Sequence, residues 1–555
     1  MPGSSRVGSG TAAPTGTVRA SLSRRDQRSR RLLRTGLVAA MIAGFVLSLL
    51  TLMAVNPFRP ADENAHVGYV QSLVEDGRFP EVGEQVLHRF DAQPLKGVQH
   101  TANHPPLFYL LQAPIWWVGD QLDDPLAAFY AGRVLSALVG ALCVLLVGLI
   151  AFGLTGRRRP EVGIGAALYL ATFAPFVTVS GFFQNDSVGT ATAALALLGL
   201  VGLALRPDRP RWPLVLVVAG CVLAPLARAQ NVGVVAVCCL GVLLFPLLRA
   251  ETRTRAAVLR SVLTVLVIGA GCAVTSGIFY LRNLNLYGDA TGGAAVTALV
   301  RLKPRGESVL DDLLEPGTWY TLFINQPVWV GVWQGPRPGG RLWVSMACLG
   351  VIAVGILSWL AREFVMRRRA QLPGPRTAGR TLMAVRFLAA GLVLLHAVEA
   401  AIHVAGGGNL HGRYMFGAIA AVATVAAVGL LALPLGRRGP FLAVVVAVDA
   451  LVAVTYIGFL ATSRTAVLPG PDVGWVRRIL DGLRNNGVPF AVPLFWILMT
   501  VLVAAIGSAL LAIWRITGMR HPATPAGATG PADTPTVAQD SLGSARAAVS
   551  PSAGT

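Results

Sequence analysis

Residues 36–66 decide the fold, reading GLVAAMIAGFVLSLLTLMAV from Gly36 to Val55 and NPFRPADENAH from Asn56 to His66. The first part holds 20 residues without a charge, which is long enough to cross a hydrocarbon core of roughly 30 Å as one helix. No small-x-small cleavage site closes the run, so we interpret it as a transmembrane helix and not as a signal peptide. The polar stretch that follows is therefore expected at the opposite membrane surface.

The composition of the chain favours a polytopic membrane protein. Hydrophobic residues make up 54% of the 555 residues and charged residues 13%, against about 25% charged residues in a soluble domain. A cytosolic enzyme, a disordered scaffold and a soluble DNA-binding protein are therefore poor interpretations. The net charge of +20 comes almost entirely from arginines in short clusters between apolar runs. This pattern is typical of membrane topology, so we expect contact with a lipid bilayer and no nucleic acid.

Eleven further apolar runs follow the first, near residues 127–155, 162–181, 188–205, 213–227, 231–248, 257–280, 342–361, 387–405, 414–434, 441–461 and 491–514. The predicted fold class is an all-α polytopic membrane protein with about 12 transmembrane helices. Arginine-rich connections between apolar runs, such as 362–386, alternate along the chain with connections that are poor in arginine. One of the latter, 56–126, has four basic and ten acidic residues. We therefore expect a multi-pass protein of the cell inner (plasma) membrane with cytoplasmic N- and C-termini.

Three units are predicted along the chain. Residues 1–35 form a disordered basic cytoplasmic tail, residues 36–514 a transmembrane domain, and residues 515–555 a disordered cytoplasmic tail. The tails lack the apolar residues that a core requires. Long extracytoplasmic loops, which usually carry function, are expected over about 56–126, 281–341 and 462–490. Within the first loop, Pro60 and Asp62 begin a helical pattern of apolar residues, which predicts short amphipathic helices at the membrane surface.

Two neighbouring acids open the first outer loop. Asp62, His66 and Tyr69 stand at i, i+4 and i+7, so they share one face of the predicted helix. Glu63 lies about 100° further round the helix axis. Adjacent carboxylates at the membrane boundary can supply a general base and a second group that orients a substrate or a metal. The alternative is that both acids cap the free N–H groups of a helix start.

Two more polar clusters lie at predicted outer helix ends. His104 stands before a double proline at a bend, with Tyr109 after it, and a satisfied surface histidine is the alternative interpretation. Asn185 and Asp186 lie between two apolar runs. They can belong to a site, cap the following helix, or do both.

Three arginines, Arg228, Arg282 and Arg413, are placed at outer ends of apolar runs, the last followed by Tyr414. The positive-inside rule disfavours arginine there. Guanidinium groups bind phosphate oxygens bidentately, so we predict phosphate recognition. Snorkelling to lipid headgroups is the alternative.

One apolar run contains three ionisable residues, His396, Glu399 and His403, at spacings that put them roughly on one helix face. Intramembrane ionisable residues are candidates for a proton path or a metal site. Paired interior polar residues are the alternative, and Asp449 in a later run is open to the same interpretations.

Taken together, these motifs resemble the GT-C superfamily of polyprenyl-phosphate-dependent glycosyltransferases. The most similar groups are the protein O-mannosyltransferases, the lipid A aminoarabinose transferases and a bacterial branch with a P-x-D-E-x-x-H opening. The matching stretches, in order within about residues 36–430, are Pro60–His66, His104–Tyr109, Asn185–Asp186, Arg282–Asp289 and Gly412–Tyr414. The resemblance implies a GT-C-like fold and inverting transfer of a sugar from a polyprenyl-phosphate donor to an extracytoplasmic acceptor, which is a cell-envelope glycan, a lipid or a protein.

The resemblance also implies roles for individual residues. Asp62 would be the base or metal-linked catalytic acid with Glu63 beside it, and Asp186 would be the second acid. Many relatives carry lysine where this chain has Arg228, which weakens the correspondence there. The residues expected to bind substrate are His66, His104, Tyr109, Asn185, Arg228, Arg282, Arg413 and Tyr414.

Some alternatives stay open at this point. The cofactor is unknown, a divalent metal being possible. The rival functions are a transporter or flippase of a lipid-linked glycan, for which ionisable residues within the membrane would suit proton coupling, and a non-catalytic relative that only binds such a glycan.

Overall fold

The computed structural model describes residues 16–58, 62–86, 97–206, 210–249, 254–300, 308–317, 347, 349–361, 376–406, 412–433, 439–462 and 474–520. Within these ranges the first helices are α1 (Gly16–Ala54), α2 (Glu63–Glu75), α3 (Leu107–Gln121), α4 (Pro125–Leu154), α5 (Pro160–Thr172), α6 (Ala174–Ser180), α7 (Asp186–Leu205), α8 (Arg211–Ala227), α9 (Val232–Leu248) and α10 (Arg255–Cys272). They are followed by α11 (Ile278–Tyr287), α12 (Gly293–Leu299), α13 (Val309–Leu314), α14 (Leu349–Ala361), α15 (Arg376–Ala405), α16 (Ile419–Ala432), α17 (Pro440–Thr462), α18 (Trp475–Asn485) and α19 (Ala491–Arg520). The all-α class is confirmed.

Within these ranges, the apolar runs of the sequence coincide with helices. In the described part of the chain, nine helical segments are long and apolar enough to cross a membrane, and the bent pair of α5 and α6 makes up to ten. Helices α8 and α14 are shorter apolar helices. The chain is therefore a multi-pass membrane protein, while the number of about 12 crossings stays a prediction.

Helix α1 is longer than the apolar run that predicted it. It begins at Gly16 and so includes much of the basic segment that was expected to be a flexible tail. Arginine and alanine are good helix formers, and Arg30 pairs with Asp26 at 2.9 Å, one turn away. Because the membrane helix supplies the costly nucleus, extending it by a few turns is favourable. The predicted second tail lies largely outside the described residues, since α19 ends at Arg520.

Close backbone contact between helices relies on glycine. A Cβ atom on Gly199 in α7 would lie 2.3 Å from the Val217 backbone nitrogen in α8, and a Cβ atom on Gly220 would lie 2.3 Å from the Ala196 nitrogen. Such approaches are possible only without a side chain, as is common where membrane helices pack. The α7–α8 contact places the start of α7 beside the end of α8, where two of the predicted site residues lie.

Helices α5 and α6 meet at an angle of 65°. Phe173 joins them in an extended conformation, and Pro175 stands in the first turn of α6. A proline fits this position because the first-turn N–H groups have no helical partner. The bend turns the chain towards Phe183 and the start of α7, at the same end of the helices as α2.

The described residues between α1 and α3 are folded onto the helices. Helix α2 is confirmed, but its residues Glu63 to Ser72 are all buried in protein, chiefly against α3. It therefore has no water-facing side in its first turns, unlike the surface helix that was expected. An isolated antiparallel bridge joins Gln85 and Val98 after it.

Candidate active site

The first candidate acid, Asp62, stands at the N-cap of α2. Its backbone carbonyl accepts the His66 N–H at 3.0 Å, so it sits one residue ahead of the helix and its side chain is free to point elsewhere. Asp62 Oδ2 lies 3.0 Å from Arg413 Nη2, and Asp62 Oδ1 lies 3.3 Å from His100 Nε2. With 24% of its side chain exposed, the carboxylate is open to water or a ligand.

The charge of Asp62 is set by competing effects. Burial disfavours the carboxylate, but the hydrogen bond from His100 and the positive charge of Arg413 outweigh it and hold the pKa of Asp62 well below its usual value. The group is thus ionised at neutral pH. An ionised carboxylate can accept a proton from a substrate hydroxyl.

The second candidate acid, Asp186, begins α7 and is 2% exposed. It forms an ion pair with Arg228, the residue directly after α8. Arg413 Nη1 lies 3.8 Å from Asp186 Oδ2 while its Nη2 pairs with Asp62. The four side chains therefore form a line of alternating charge, Asp62–Arg413–Asp186–Arg228, which we call the charge line. They come from four separate segments of the chain and neutralise one another.

Glu63 points away from the charge line. It forms a fully buried pair with Arg133 of α4, with Nη2 to Oε2 at 2.6 Å and Nε to Oε1 at 2.8 Å. The carboxylate also accepts the backbone N–H groups of Phe58 at 2.9 Å and Phe183 at 2.8 Å. Arg133 donates further to backbone carbonyls at the end of α1 at 2.7–3.2 Å. A catalytic role for Glu63 stays a prediction, and these contacts favour a structural one.

Aromatic residues and histidines form the layer beneath Asp62. Tyr109 OH lies 2.9 Å from His66 Nδ1 and 3.4 Å from His104 Nδ1. Its ring stacks on Tyr69 with centroids 3.6 Å apart, and Tyr69 OH donates to the His104 carbonyl at 3.3 Å. The structure thus brings together the three predicted substrate-binding residues of the first loop, His66, His104 and Tyr109, beside Asp62.

These two histidines are held in the neutral form. Burial, followed by the positive charge of Arg228, lowers the pKa of His104 to about 3. Burial also lowers the pKa of His66 well below its usual value, although the charge of Asp62 opposes this. A neutral imidazole next to a tyrosine hydroxyl can hydrogen-bond sugar hydroxyls without adding charge.

Three further residues that were predicted to bind substrate lie outside the charge line. Arg282 donates to the backbone carbonyls of Phe79 and Pro80 at 3.2 and 2.7 Å, and among the described residues it forms no ion pair with the charge line. Asn185 is buried at the N-cap of α7 without a side-chain cap bond. Tyr414 OH lies 3.1 Å from His403 Nε2. Substrate binding by these residues remains a prediction.

The ionisable residues of α15 lie behind Tyr414. His396 Nδ1 is 3.7 Å from Glu399 Oε2 and 3.2 Å from the Leu392 carbonyl oxygen. His396 Nε2 and Glu399 Oε2 are buried without a hydrogen-bond partner in the described structure. His403, on the same helix, contacts Tyr414, the neighbour of Arg413.

Two important residues escaped the sequence interpretation. His100 contacts Asp62, and Arg133 anchors Glu63. Arg133 had a signal that was available: it is an arginine near the outer end of an apolar run, where the positive-inside rule disfavours it. His100 had none, because nothing local distinguishes it from other loop histidines.

A divalent metal does not fit the carboxylates as they are arranged. Asp62 and Asp186 face each other across Arg413, and Arg228 also pairs with Asp186. In the portion of the chain that the structure describes, no three His, Cys, Asp or Glu side chains converge as a metal would require. A cation between the two acids would first have to displace a guanidinium group.

The comparisons with known proteins found matches among solved structures. No protein-family model and no curated protein matches the sequence. The structure is similar to that of ArnT from Cupriavidus metallidurans bound to undecaprenyl phosphate, at 16% identity and a TM-score of 0.42 over 87% of this chain and 75% of that one. It is also similar to the oligosaccharyltransferase AglB from Archaeoglobus fulgidus in complex with an inhibitory peptide and a dolichol-phosphate, at 15% identity and a TM-score of 0.40.

The coverage of the second protein is smaller. The alignment with AglB includes 84% of this chain but only 59% of the AglB chain. The alignment with the complex of the Archaeoglobus fulgidus oligosaccharyltransferase with Zn and sulfate includes 78% of this chain and 54% of the matched chain. At these identities and TM-scores the likeness carries no conclusion about activity. The chain is thus similar in structure to ArnT and AglB at low identity, and the GT-C resemblance rests on its motifs.

Proposed function

We propose that the protein transfers a sugar from a polyprenyl-phosphate donor to an extracytoplasmic acceptor, with inversion at the anomeric carbon. The observation that carries the proposal is the charge line, in which Asp62 pairs with Arg413 and the neighbouring Asp186 pairs with Arg413 and Arg228. A base for the acceptor and cations for a phosphate leaving group are the two requirements of this reaction.

Asp62 is the proposed base. It is the partly exposed acid of the charge line, whereas Asp186 is almost completely buried. As the acceptor oxygen bonds to the anomeric carbon, the hydroxyl proton moves to Asp62. The bond between the anomeric carbon and the phosphate oxygen breaks, and the lipid phosphate leaves with the electron pair. A single displacement of this kind inverts the anomeric configuration.

The guanidinium groups of Arg413 and Arg228 are the proposed phosphate ligands. Each is placed at a helix end with an acid as its present partner, so a donor phosphate must compete with that acid. Arg413 is 28% exposed and Arg228 14%, so Arg413 is the easier to reach. Asp186 then keeps both guanidinium groups in place by charge, and this positioning is the role that its contacts favour.

Competition for Arg413 has a consequence for the base. While Arg413 pairs with Asp62, its charge lowers the basicity of the carboxylate. A donor phosphate that draws Arg413 away raises the basicity of Asp62 at the moment when a base is needed. Binding of the donor thus prepares proton removal from the acceptor.

The transporter alternative is favoured by one observation. His396 and Glu399 carry buried polar atoms without partners in the described structure, within a membrane-spanning helix. Such groups are typical of proton-coupled transport. The topology proposed with either function has the charge line on the extracytoplasmic side of the inner membrane and both termini in the cytoplasm.

Reconstitution distinguishes these functions. The full chain in proteoliposomes is supplied with radiolabelled polyprenyl-phosphate sugars and a set of acceptors, namely envelope glycan, lipid and peptide hydroxyls, with the Asp62→Asn variant as control. We expect labelled acceptor and free polyprenyl phosphate from the unchanged chain alone. Movement of the labelled lipid between leaflets without any labelled acceptor would contradict the proposal and favour a flippase. Binding of the donor without either event would indicate a non-catalytic relative.

A further inference from the structure

His100 contacts Asp62 and is itself partly exposed to water. Its Nε2 atom is 3.3 Å from Asp62 Oδ1, and its Nδ1 atom is 3.1 Å from the Val98 carbonyl oxygen. The two side chains are exposed to similar extents, 26% for His100 and 24% for Asp62. His100 is thus a partly exposed imidazole on one oxygen of the proposed base, while Arg413 binds the other oxygen.

The backbone around His100 is fixed by its own hydrogen bonds. Val86 donates to the Gly97 carbonyl at 2.9 Å, and Gln99 donates to the Glu84 carbonyl at 2.7 Å, which makes a short antiparallel pairing. The Gln99 side chain also donates to the Ala65 carbonyl at 3.0 Å. This last bond ties the segment that carries His100 to α2, the helix that Asp62 begins.

The partners of His100 determine where its protons lie. A backbone carbonyl can only accept, so the Val98 contact requires a proton on Nδ1. An ionised Asp62 also only accepts, so the imidazolium form satisfies both contacts. When the imidazolium loses a proton, the Val98 carbonyl retains the one on Nδ1. The neutral ring then presents the lone pair of Nε2 to Asp62 and is ready to take a proton from it.

The neighbouring histidines are unsuited to this task. His66 is 2% exposed and points its Nδ1 at the Tyr109 hydroxyl. His104 faces the same hydroxyl. Burial keeps the pKa of both rings below the usual value, so neither holds a proton near neutral pH.

We propose that His100 relays the acceptor proton from Asp62 to water. This role rests on the proposed function. During transfer the hydroxyl proton moves to Asp62 as the new bond to the anomeric carbon forms and the lipid phosphate departs with the electron pair. Protonated Asp62 then gives the proton to Nε2 of neutral His100, and the imidazolium releases it to water. Both residues return to their starting forms, and no oxidant, reductant or further reactant is needed.

The relay predicts a particular pH dependence. The groups that face His100 are Asp62 of α2 and Arg413 of the segment before α16, with His66 and His104 behind Asp62. Burial disfavours the imidazolium, but the hydrogen bond and charge of Asp62 outweigh it and raise the pKa of His100 above its usual value. The relay requires neutral His100, so the turnover rate falls as pH falls through this raised pKa.

The kinetic test compares the full chain with His100→Gln in proteoliposomes with a polyprenyl-phosphate sugar, at about pH 5 to 9. Glutamine can hydrogen-bond Asp62 but cannot carry the proton. We expect kcat to fall about 10- to 100-fold at neutral pH, while the donor KM stays unchanged. The kcat of His100→Gln should also no longer decrease as the pH falls through the pKa of His100. Imidazole added to His100→Ala should restore part of kcat. Arg78→Gln, at an exposed side chain of the same loop, is the matched control and should keep the wild-type profile.

A second measurement needs no turnover. The full chain is labelled with carbon-13 histidine and placed in nanodiscs, and the His100 ring is titrated by NMR. The signal of His100 is identified because it is missing from the spectrum of His100→Gln. We expect the titration midpoint of His100 to move to lower pH in Asp62→Asn, because the negative charge that favours the imidazolium is gone. An unmoved midpoint would show that the two side chains are not coupled and would overturn the relay.

The outcomes separate the two proposals. If the unchanged chain transfers sugar while His100→Gln keeps the wild-type kcat and acid-side decline, the relay is wrong and the proposed function stands. A loss of kcat with an unaltered acid-side decline and no imidazole rescue also overturns the relay alone, since it indicates a structural role for His100. If the unchanged chain transfers no sugar, the proposed function fails and the relay fails with it.

Discussion

Asp62 and Glu63 are adjacent in the chain and carry the same functional group, yet they occupy opposite environments. Asp62 is 24% exposed and shares its oxygens between Arg413 and His100, both of which are also partly exposed. Glu63 is completely buried and accepts from Arg133 and two backbone N–H groups. The helix start turns the two side chains in different directions, Asp62 towards Arg413 and Glu63 towards α4 and the segments that follow α1 and α6.

Under the proposed function, the same motif serves the chemistry through Asp62 and the folding through Glu63. A buried carboxylate whose oxygens are fully hydrogen-bonded cannot approach a substrate, but it can fix the segment before α2 against the membrane helices. The rigid anchor at Glu63 therefore holds Asp62 in position. Variants that separate the two functions test this interpretation directly.

The largest expected effect is on catalysis by Asp62→Asn. The amide keeps the size and a hydrogen-bonding oxygen but cannot accept the acceptor proton, so we expect kcat to fall by about 10²- to 10⁴-fold. Donor affinity should be at least that of the wild type, because the Asp62 charge no longer competes for Arg413, and thermal stability should stay near that of the wild type. Sugar transfer in proteoliposomes is the measurement, with the exposed Asp76→Asn as control. Normal turnover by Asp62→Asn would show that Asp62 is not the base.

The next effect, on stability, is expected from Glu63→Gln. Removing one charge of a buried ion pair leaves the Arg133 guanidinium uncompensated, and this destabilises a fold by about 3–5 kcal/mol. Thermal unfolding in detergent should show a clear decrease in Tm, with Glu81→Gln at an exposed position unchanged. A Glu63→Gln protein that is stable but inactive would instead support the catalytic role that the motif suggested.

A smaller effect is expected on donor binding by Arg413→Ala. A hydrogen bond to a charged group contributes about 1.5–3 kcal/mol, so the Kd for a polyprenyl phosphate should rise about 10- to 100-fold. Binding to the purified protein is measured with the reaction product, which does not turn over. Arg477→Ala, a 77% exposed arginine of α18, is the control. Equal affinity in both variants would exclude a phosphate contact for Arg413.

The smallest expected effect is that of a chelator. Because Arg413 and Arg228 hold the positions beside the two acids, removing divalent metals with EDTA should change the transfer rate less than about twofold. Metal analysis of the purified protein and re-addition of Mg²⁺, Mn²⁺ or Zn²⁺ complete the measurement. A loss of activity that one of these ions restores would show that a metal displaces Arg413 during the reaction.

Local sequence was sufficient for much of the fold. Hydropathy located the membrane helices, because a bilayer requires long apolar segments with satisfied backbone groups. It did not predict the burial of α2, since an apolar face can pack on lipid or on protein equally well. The helical extension of α1 was also missed, because composition alone does not show that an adjoining helix supplies a nucleus.

The candidate site was predictable in part. The sequence analysis selected two carboxylates and two guanidinium groups at predicted outer ends of apolar runs. The structure brings these four side chains together, namely Asp62, Asp186, Arg228 and Arg413. His100 was missed because its importance comes from a tertiary contact, with no spacing rule linking it to Asp62.

The sequence by itself determined that this chain is a helical membrane protein and that ionisable residues cluster at the ends of its helices, because hydropathy and charge are local properties. Tertiary structure decided which charges meet. It separated the two adjacent acids, assigned Arg133 to Glu63 and Arg413 to Asp62, and placed His100 against Asp62. Such pairings join residues dozens to hundreds of positions apart, so they depend on how the helices pack and not on any neighbouring residue.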